Sequence, residues 1–301
     1  MLARTGTLVV IGGPTASGKT ALAAEIARAL GTAVISADAR QFYRAMRIGT
    51  GQPDADERLG VPHHFIGHLD VAETWSAGTF ARAVEPVLQE LLLKHGVAIM
   101  AGGSGLYVDA VLRGLDPMPM ADTGLRQQLQ ERLRTEGLAP LLEELRVRDP
   151  AHWAAMDRHN PHRVLRALEV CIATGQPYSA QRTTPSERTD MRVLRFAIDM
   201  PRAELYARID ARVDRMMAAG LVEEARALLP HRHLNALNTV GYKELFAHFD
   251  GRTPLDRAVE LIKQHTRNYA KRQLTWLRRD AGWRWTRAAP DDLAGVIGQC
   301  R

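Results

Sequence analysis

A glycine-rich segment near the start of the chain, GGPTASGKT, combines side chains and backbone suited to holding phosphate. Gly13, Gly18, Lys19 and Thr20 match the pattern G-x-x-x-x-G-K-[ST]. Glycines let backbone N–H groups approach phosphate oxygens closely, and a following helix adds positive potential at its N-terminus. Lys19 supplies a charge and the Thr20 hydroxyl a ligand for Mg²⁺. We therefore predict a phosphate-binding loop made of Gly13, Pro14, Thr15, Ala16, Ser17, Gly18, Lys19 and Thr20.

The segments on either side of this loop have the pattern of the elements that must position it. Residues 8–11 are apolar and predict a buried strand, and Lys19–Leu30 is rich in Ala and Leu and predicts a helix. Gly31 follows, a residue that commonly ends helices. Strand, glycine loop and helix is the order that a phosphate loop requires.

A carboxylate and a hydroxyl follow two further apolar runs. Residues 33–35 predict a strand that leads to Asp38, and residues 97–100 predict another that runs through glycines to Ser104. Motor ATPases and GTPases need an acid after such a downstream strand, and here it is missing. The carboxyl ends of parallel strands line the ligand crevice. Asp38 is therefore expected there as a base or hydrogen-bond acceptor, or as a helix N-cap, and both readings can hold.

Composition narrows the class of protein. The 301 residues are 46% hydrophobic and 25% charged, which is ordinary for one large or two smaller globular domains. No stretch reaches the roughly 18 apolar residues of a membrane span. Cys171 and Cys300 lack the spacing of a disulfide framework or a zinc knuckle. We expect a soluble protein of the cytoplasm. The net charge of +6 favours a polyanionic partner, although phosphorylated metabolites alone also suit it.

The middle of the chain departs from the alternation of strands and helices. Residues 116–190 have helical periodicity, with one helix beginning at Pro161, and residues 193–200 then return to a strand pattern. We predict an α/β core of residues 1–115 and 191–301, with a P-loop NTPase-like parallel sheet flanked by helices. Residues 116–190 form an all-helical insertion domain.

Seven motifs in order resemble the tRNA dimethylallyltransferases, also called tRNA isopentenyltransferases. They are GGPTASGKT, ISADARQFYRAMRIGT, VPHHFIG, AGGSGLY, RVLRALEV, NTVGYKEL and YAKRQLTW, and they extend from about residue 8 to residue 285. The resemblance implies transfer of a dimethylallyl group from dimethylallyl diphosphate to N6 of the adenosine at tRNA position 37. The loop and Mg²⁺ would then neutralise a departing diphosphate, which would explain the missing acid.

The resemblance also implies roles for single residues. Asp38 would accept the proton of the adenine amine, and Gln41 would read the extruded adenine. Ser104 stands where the family usually has Thr and would contact the diphosphate or the target nucleotide, with Lys19 as the third catalytic residue. Arg212 would face the leaving diphosphate, although its helix also has the pattern of a solvated face. Ala39, Gln52 and Trp75 stand where the family often has Ser, Lys and Tyr.

RNA contacts are expected at three places. The first is the motif after the second strand, with Asp38, Ala39, Arg40 and Gln41, together with Ser104. The second is the insert, where the resemblance places Arg126, His162, Arg163, Val164, Leu165 and Arg166 near the anticodon stem-loop; surface ion pairs are the alternative for its arginines. The third is a basic stripe on one helix face, Lys263, Arg267 and Lys271.

Other features have simpler interpretations. Tyr269 shares an apolar helical face with Ile262 and Leu274, so we expect it in the core rather than stacked on a base. His63 and His64 lack a third ligand at a metal-site spacing, which favours packing or substrate lining. We expect a monomer, but the sequence shows no heptads or repeats and leaves the oligomeric state open. Two rival functions remain: a small-molecule kinase using ATP, and a noncatalytic RNA-binding module with a nucleotide-dependent loop.

Overall fold

The structure is a computed structural model, and it describes residues 6–116, 118–119, 122–183, 186–287, 295 and 297–299. Cys300 lies outside these residues. The chain divides into two compact units. The first comprises Met1–Leu112 and Arg188–Arg301, and the second is Arg113–Glu187, whose limits lie three residues before those predicted for the insert.

One parallel sheet of six strands forms the centre of the described part of the first unit. The strands are β1 (Thr7–Gly12), β2 (Val34–Ser36), β3 (His63–His64), β4 (Val97–Gly102), β5 (Arg192–Ile198) and β6 (Arg284–Thr286). Their order in the sheet is β3-β2-β4-β1-β5-β6. Helices flank the sheet, which confirms the predicted fold class. They are α1 (Lys19–Leu30), α2 (Ala77–His95), α3 (Gly105–Arg113), α8 (Arg202–Ala218), α9 (Leu221–Leu228), α10 (Tyr242–Phe249) and α11 (Leu255–Leu277).

Side chains of β1 alternate between two cores, one on each face of the sheet. Leu8 and Val10 belong to one hydrophobic cluster, while Val9 and Ile11 belong to the other. Because both faces are covered, the strand is apolar throughout, as expected for a parallel sheet between helix layers. Helix α1 packs on one face through Leu22 and Ile26, and helix α2 contributes Phe80, Val84 and Leu88 to the other cluster.

The register of the sheet brings the three predicted functional segments to one edge. Gly12 at the end of β1 pairs with Gly102 at the end of β4, and Ser36 at the end of β2 pairs with Ala101. The residues that follow these strands therefore leave the sheet at the same level. This edge carries the phosphate loop, Asp38 and Ser104.

The second unit contains four α-helices within its described part, with an apolar core of its own. The helices are α4 (Thr123–Glu136), α5 (Leu138–Arg148), α6 (Pro150–Ala155) and α7 (Pro161–Thr174). Leu129 of α4, Leu141 and Leu145 of α5, and Val164 and Leu168 of α7 are buried together. Asn160 caps α7 through a hydrogen bond to the Arg163 N–H, directly before Pro161 at the first helical position.

Candidate active site

The glycine loop has the geometry that phosphate binding needs. Gly18 caps α1 with a left-handed backbone, φ 88°, and Ala16 also has a positive φ of 65°. No side chain caps the helix and no acid lies in its first turn, so its N–H groups face the loop. A Cβ on Gly13 would lie 2.6 Å from the Ser17 hydroxyl oxygen, so a larger residue there would displace that hydroxyl. That hydroxyl is buried and has no hydrogen-bond partner in the described part of the chain.

Two neighbouring cavities meet at this loop. The Lys19 cavity, about 400 Å³, is lined by Gly18, Lys19, Thr20, Gly51, Glu57 and Arg212 among others. The Asp38 cavity, about 470 Å³, is lined by Thr15, Asp38, Arg40, Thr50, Arg212 and Tyr269 among others. Thr15 lines the Asp38 cavity, whereas Ala16, Gly18, Lys19 and Thr20 line the Lys19 cavity. Arg212 borders both.

Charges converge where the cavities meet. Partial burial lowers the pKa of the Lys19 ammonium; the carboxylate of Asp38 raises it, and the guanidinium of Arg212 lowers it further. Burial likewise lowers the pKa of Arg212, and Asp38 opposes the shift. Guanidinium still carries its charge at neutral pH. Asp38 thus lies within electrostatic reach of two cations that border the phosphate loop.

A loop between β2 and β3 holds Arg212 in place. Nη2 of Arg212 donates to the carbonyl oxygens of Thr50 at 3.2 Å and Gly51 at 3.4 Å. Glu224 fixes the preceding residues, because its carboxylate accepts from the N–H groups of Ile48 at 2.7 Å and Gly49 at 2.8 Å. The alternative of a solvated Arg212 does not describe this side chain, which is partly buried and bonded to the loop.

The Asp38 segment is fixed by short local bonds. Oδ1 of Asp38 accepts from the Arg40 N–H at 3.2 Å, and the Ser104 hydroxyl accepts from the Ala39 N–H at 3.0 Å. The guanidinium of Arg40 donates to the carbonyl oxygens of Asn235 and Ala236. Ser104 is next to this segment, yet it lines neither cavity.

Gln41 is more deeply buried than expected for a residue that recognises a base at the protein surface. It is 8% exposed, and its amide nitrogen donates to the carbonyl oxygens of Gly51 at 2.9 Å and Thr50 at 3.4 Å. Its amide oxygen lies 3.5 Å from the Ser36 hydroxyl. Gln41 therefore supports the loop that holds Arg212, and the predicted adenine contact stays a prediction.

The prediction that Tyr269 belongs to the core is wrong. Its ring is only partly buried and lines the Asp38 cavity. Burial and then the charge of Asp38 raise the pKa of its hydroxyl, while a hydrogen bond with Ser104 lowers it. The Tyr269 hydroxyl therefore stays protonated near neutral pH and links Ser104 to the cavity.

Comparison with known proteins identifies the family to which this arrangement belongs. The model of the IPP transferase family matches residues 41–280. The chain belongs to the IPP transferase family. It is similar to the tRNA dimethylallyltransferase of Christiangramia forsetii, with 47% identity over 278 residues that cover 92% of each chain. It is also similar to tRNA dimethylallyltransferase 1 of Bacteroides fragilis, with 44% identity over 279 residues, 93% of each.

Solved structures agree with this family. The tRNA isopentenylpyrophosphate transferase from Bacillus halodurans matches with a TM-score of 0.71 and 35% identity, covering 97% of this chain and 95% of that one. A eukaryotic dimethylallyltransferase matches with a TM-score of 0.76 and 24% identity, covering 90% and 70%. At that identity the second likeness concerns the fold alone. This IPP transferase is an enzyme of the prenyltransferase kind.

The insert of this IPP transferase uses part of its predicted RNA-binding set internally. Arg126 and Arg166 pair with the buried Glu169 at 2.6 and 3.3 Å. Val164 and Leu165 are buried in the core of the unit, so the expectation that they contact tRNA needs correction: their side chains are not at the surface. Exposed side chains remain at His162 and Arg163.

The basic stripe on α11 also needs correction. The Lys263 ammonium pairs with Asp214 at 2.8 Å, and the Arg267 guanidinium pairs with Asp210 at 2.5 Å. Both acids belong to α8, so these pairs hold two helices together and their charges are offset. Lys271 is exposed, with Asn268 3.5 Å away.

Metal binding depends on few protein groups. Among the residues that the structure describes, no cluster of three His, Cys, Asp or Glu side chains could hold a metal ion. His63 instead has its Nδ1 2.9 Å from the Val61 carbonyl oxygen, and burial lowers the pKa of His63 and His64. The Thr20 hydroxyl and the Glu57 carboxylate line the Lys19 cavity. These oxygens fit Mg²⁺ in the usual phosphate-site manner, with phosphate and water supplying the other ligands.

Residues of α11 and the loop before α10 were missed by sequence reasoning. Thr239, Gly241, His265 and Arg272 line the Asp38 cavity. The motifs NTVGYKEL and YAKRQLTW, which contain all of these residues except His265, stood out, but side-chain direction depends on how α10 and α11 pack. None of the described helices is both long and apolar enough for a membrane span.

Proposed function

We propose that this IPP transferase transfers the dimethylallyl group of dimethylallyl diphosphate to N6 of the adenosine at tRNA position 37, directly 3′ of the anticodon. The observation that carries the proposal is the pair of cavities that share Arg212. A diphosphate in the Lys19 cavity and an adenine in the Asp38 cavity would place electrophile and nucleophile on either side of one cation. Several relatives carry the name tRNA dimethylallyltransferase, which supports tRNA as the acceptor.

The reaction breaks one bond and forms another. The allylic C–O bond breaks, and its electron pair leaves with the diphosphate. The N6 lone pair of adenine forms the new C–N bond, and the N6 proton passes to the Asp38 carboxylate. Because that lone pair is delocalised into the ring, the amine needs positioning and a proton acceptor.

Lys19, Arg212 and the N-terminus of α1 stabilise the negative charge that develops on the diphosphate. Such preorganised groups act most strongly in a cavity with little water. Mg²⁺, when bound, would add charge neutralisation, and Thr20 would be its protein ligand. No second acid after β4 is needed, since no P–O bond is cleaved.

The adenine must leave the anticodon loop stack to enter the Asp38 cavity. Extrusion costs a few kcal/mol, which contacts inside a pocket offset. Arg40 and Tyr269 at the cavity, and His162 and Arg163 on the insert, are the proposed tRNA contacts. Fluorescence of 2-aminopurine at position 37 should rise on binding; unchanged fluorescence would contradict extrusion.

Label transfer tests the function directly. The protein, Mg²⁺ and unmodified tRNA are incubated with labelled dimethylallyl diphosphate, the RNA is digested, and the labelled nucleoside is identified by mass. We expect label on N6 of adenosine. Unlabelled RNA with ATP consumed in a parallel reaction would favour a kinase, and tRNA binding without either reaction would favour a noncatalytic module.

A further inference from the structure

Gln273 connects two segments of the active site that are far apart in sequence. It lies on α11, is 5% exposed, and reaches the sheet edge. Its Oε1 accepts from the backbone N–H of Thr15 at 2.8 Å, and its Nε2 donates to the Gly103 carbonyl oxygen at 2.9 Å. One amide thus binds the phosphate loop and the residue before Ser104.

The Thr15 bond lies at the point where the phosphate loop passes between the cavities. Thr15 lines the Asp38 cavity, and Ala16 is the first loop residue to line the Lys19 cavity. The left-handed backbone of Ala16 follows at once, with φ 65°. Non-glycine residues adopt this conformation at a cost, and surrounding bonds must maintain it. The Gln273 bond fixes the peptide directly before that turn.

Packing at the other end of the amide is equally close. A Cβ on Gly103 would lie 2.1 Å from Nε2 of Gln273 and 3.1 Å from the Gly13 carbonyl oxygen. The phosphate loop, the β4 tip and α11 therefore touch without intervening space. Any movement of the amide is transmitted to both backbone segments.

Contacts other than those of Gln273 also hold α11 in place. Nε1 of Trp276 donates to Asp109 at 3.0 Å, and Ile262, Ala270 and Leu277 are buried apolar residues of the same helix. Gln273 is therefore separable from the packing of the helix. Its two bonds go to the loops that carry the site.

We propose that Gln273 is a positioning residue that holds the phosphate loop in its diphosphate-binding conformation and keeps Ser104 in register with it. The inference rests on the proposed function for the identity of the diphosphate. Gln273 acts through Thr15 and Gly103, and it touches no reacting atom.

Two variants and one control test this role. Gln273→Leu removes both bonds and leaves a buried N–H and a buried C=O without partners. Gln273→Glu keeps the shape and the acceptor for Thr15, but an ionised carboxylate would face the Gly103 carbonyl oxygen. Gln264→Glu adds the same charge at an exposed position of the same helix.

The first readout is affinity for inorganic diphosphate in Mg²⁺ buffer, measured by calorimetry. We expect the Kd to rise about tenfold for both Gln273 variants, the effect of leaving buried partners unpaired. The tRNA Kd should change by less than about twofold in all variants, as for substitutions remote from the RNA. Gln264→Glu should match the unaltered protein in both dissociation constants, for diphosphate and for tRNA.

The second readout is the pH profile of Gln273→Glu. As pH falls, the new carboxyl gains a proton and can donate to Gly103 again, so prenyl transfer relative to the unaltered protein should recover. A merely structural loss would not depend on pH in this way. Unchanged diphosphate affinity in both variants, or a deficit of Gln273→Glu that is the same at every pH, would overturn the proposal.

The two proposals fail separately. If the unaltered protein transfers no prenyl group, the proposed function is contradicted, while the diphosphate comparison still decides the role of Gln273. If Gln273→Leu does not fold, the isosteric Gln273→Glu variant carries the test, with thermal unfolding as the check.

Discussion

Arg212→Ala should slow prenyl transfer while leaving the fold intact. The change removes two hydrogen bonds, to the carbonyl oxygens of Thr50 and Gly51. Both oxygens also accept from Nε2 of Gln41, so neither is left without a partner. The stability cost should therefore stay at about 2 kcal/mol, since each ordinary hydrogen bond contributes about 1 kcal/mol net.

The cost to the reaction should be larger. Arg212 is a partly buried cation that borders both cavities, where the proposed function places the charge of the leaving diphosphate. Losing one preorganised stabilising group costs about 10²–10³ in rate, or about 2.7–4 kcal/mol. Arg212→Lys keeps the charge but lacks the planar guanidinium, so its transfer rate should lie between those of the unaltered protein and Arg212→Ala.

Single-turnover transfer measures this effect. A preformed complex with tRNA is mixed with labelled dimethylallyl diphosphate, and thermal unfolding is recorded beside it. Arg202→Ala is the control, since Arg202 is an exposed residue of α8 whose guanidinium contacts Tyr206. A rate for Arg212→Ala that stays near that of the control would refute the placement of the diphosphate beside Arg212.

Further predictions concern charged residues. The lowered pKa of Lys19 means that its ammonium loses its proton at a lower pH than an ordinary lysine does. The kcat/KM for dimethylallyl diphosphate should therefore fall as pH rises through the pKa of Lys19. An equally steep fall in Lys19→Arg, which stays charged, would contradict this. Glu169→Gln should lower the stability of the insert by about 2 kcal/mol in thermal unfolding, because it weakens the charged hydrogen bond with Arg126. Arg163→Ala should weaken tRNA binding with no change in Tm. A lower Tm with unchanged tRNA binding would refute the assignment of Arg163 to tRNA contact. Lys271→Ala should reduce the slope of log K for tRNA against log salt concentration by about 1. Lys263→Ala should lower the stability of the fold and leave that slope unchanged. Binding titrations at several salt concentrations measure the slope.

Much of the fold was predictable because its signals are local. The glycine loop lies between an apolar strand and a helix that runs over Lys19–Leu30 as predicted, ended by Gly31 with φ 66°. The strands β3 (His63–His64) and β6 (Arg284–Thr286) were missed because they are short and, unlike β2, lack an apolar run.

The limits of site prediction lie in contacts between distant segments. A basic stripe on α11 is visible in the sequence, but the acids that neutralise Lys263 and Arg267 belong to α8 and pair only through packing. Gln41 was expected at the substrate but is buried and bonded to the loop at Gly51, whereas Tyr269 was expected in the core but lines a cavity. Such placements depend on tertiary structure and leave no spacing signal.

The most direct test of the central claim is single-turnover transfer by Asp38→Asn. The amide oxygen can still accept from the Arg40 N–H, so the segment should keep its geometry. With saturating tRNA and dimethylallyl diphosphate, we expect a rate loss of about 10²–10⁴, the usual contribution of a proton acceptor. Dissociation constants for both substrates should change little. Transfer at the unaltered rate would show that Asp38 does not accept the adenine proton.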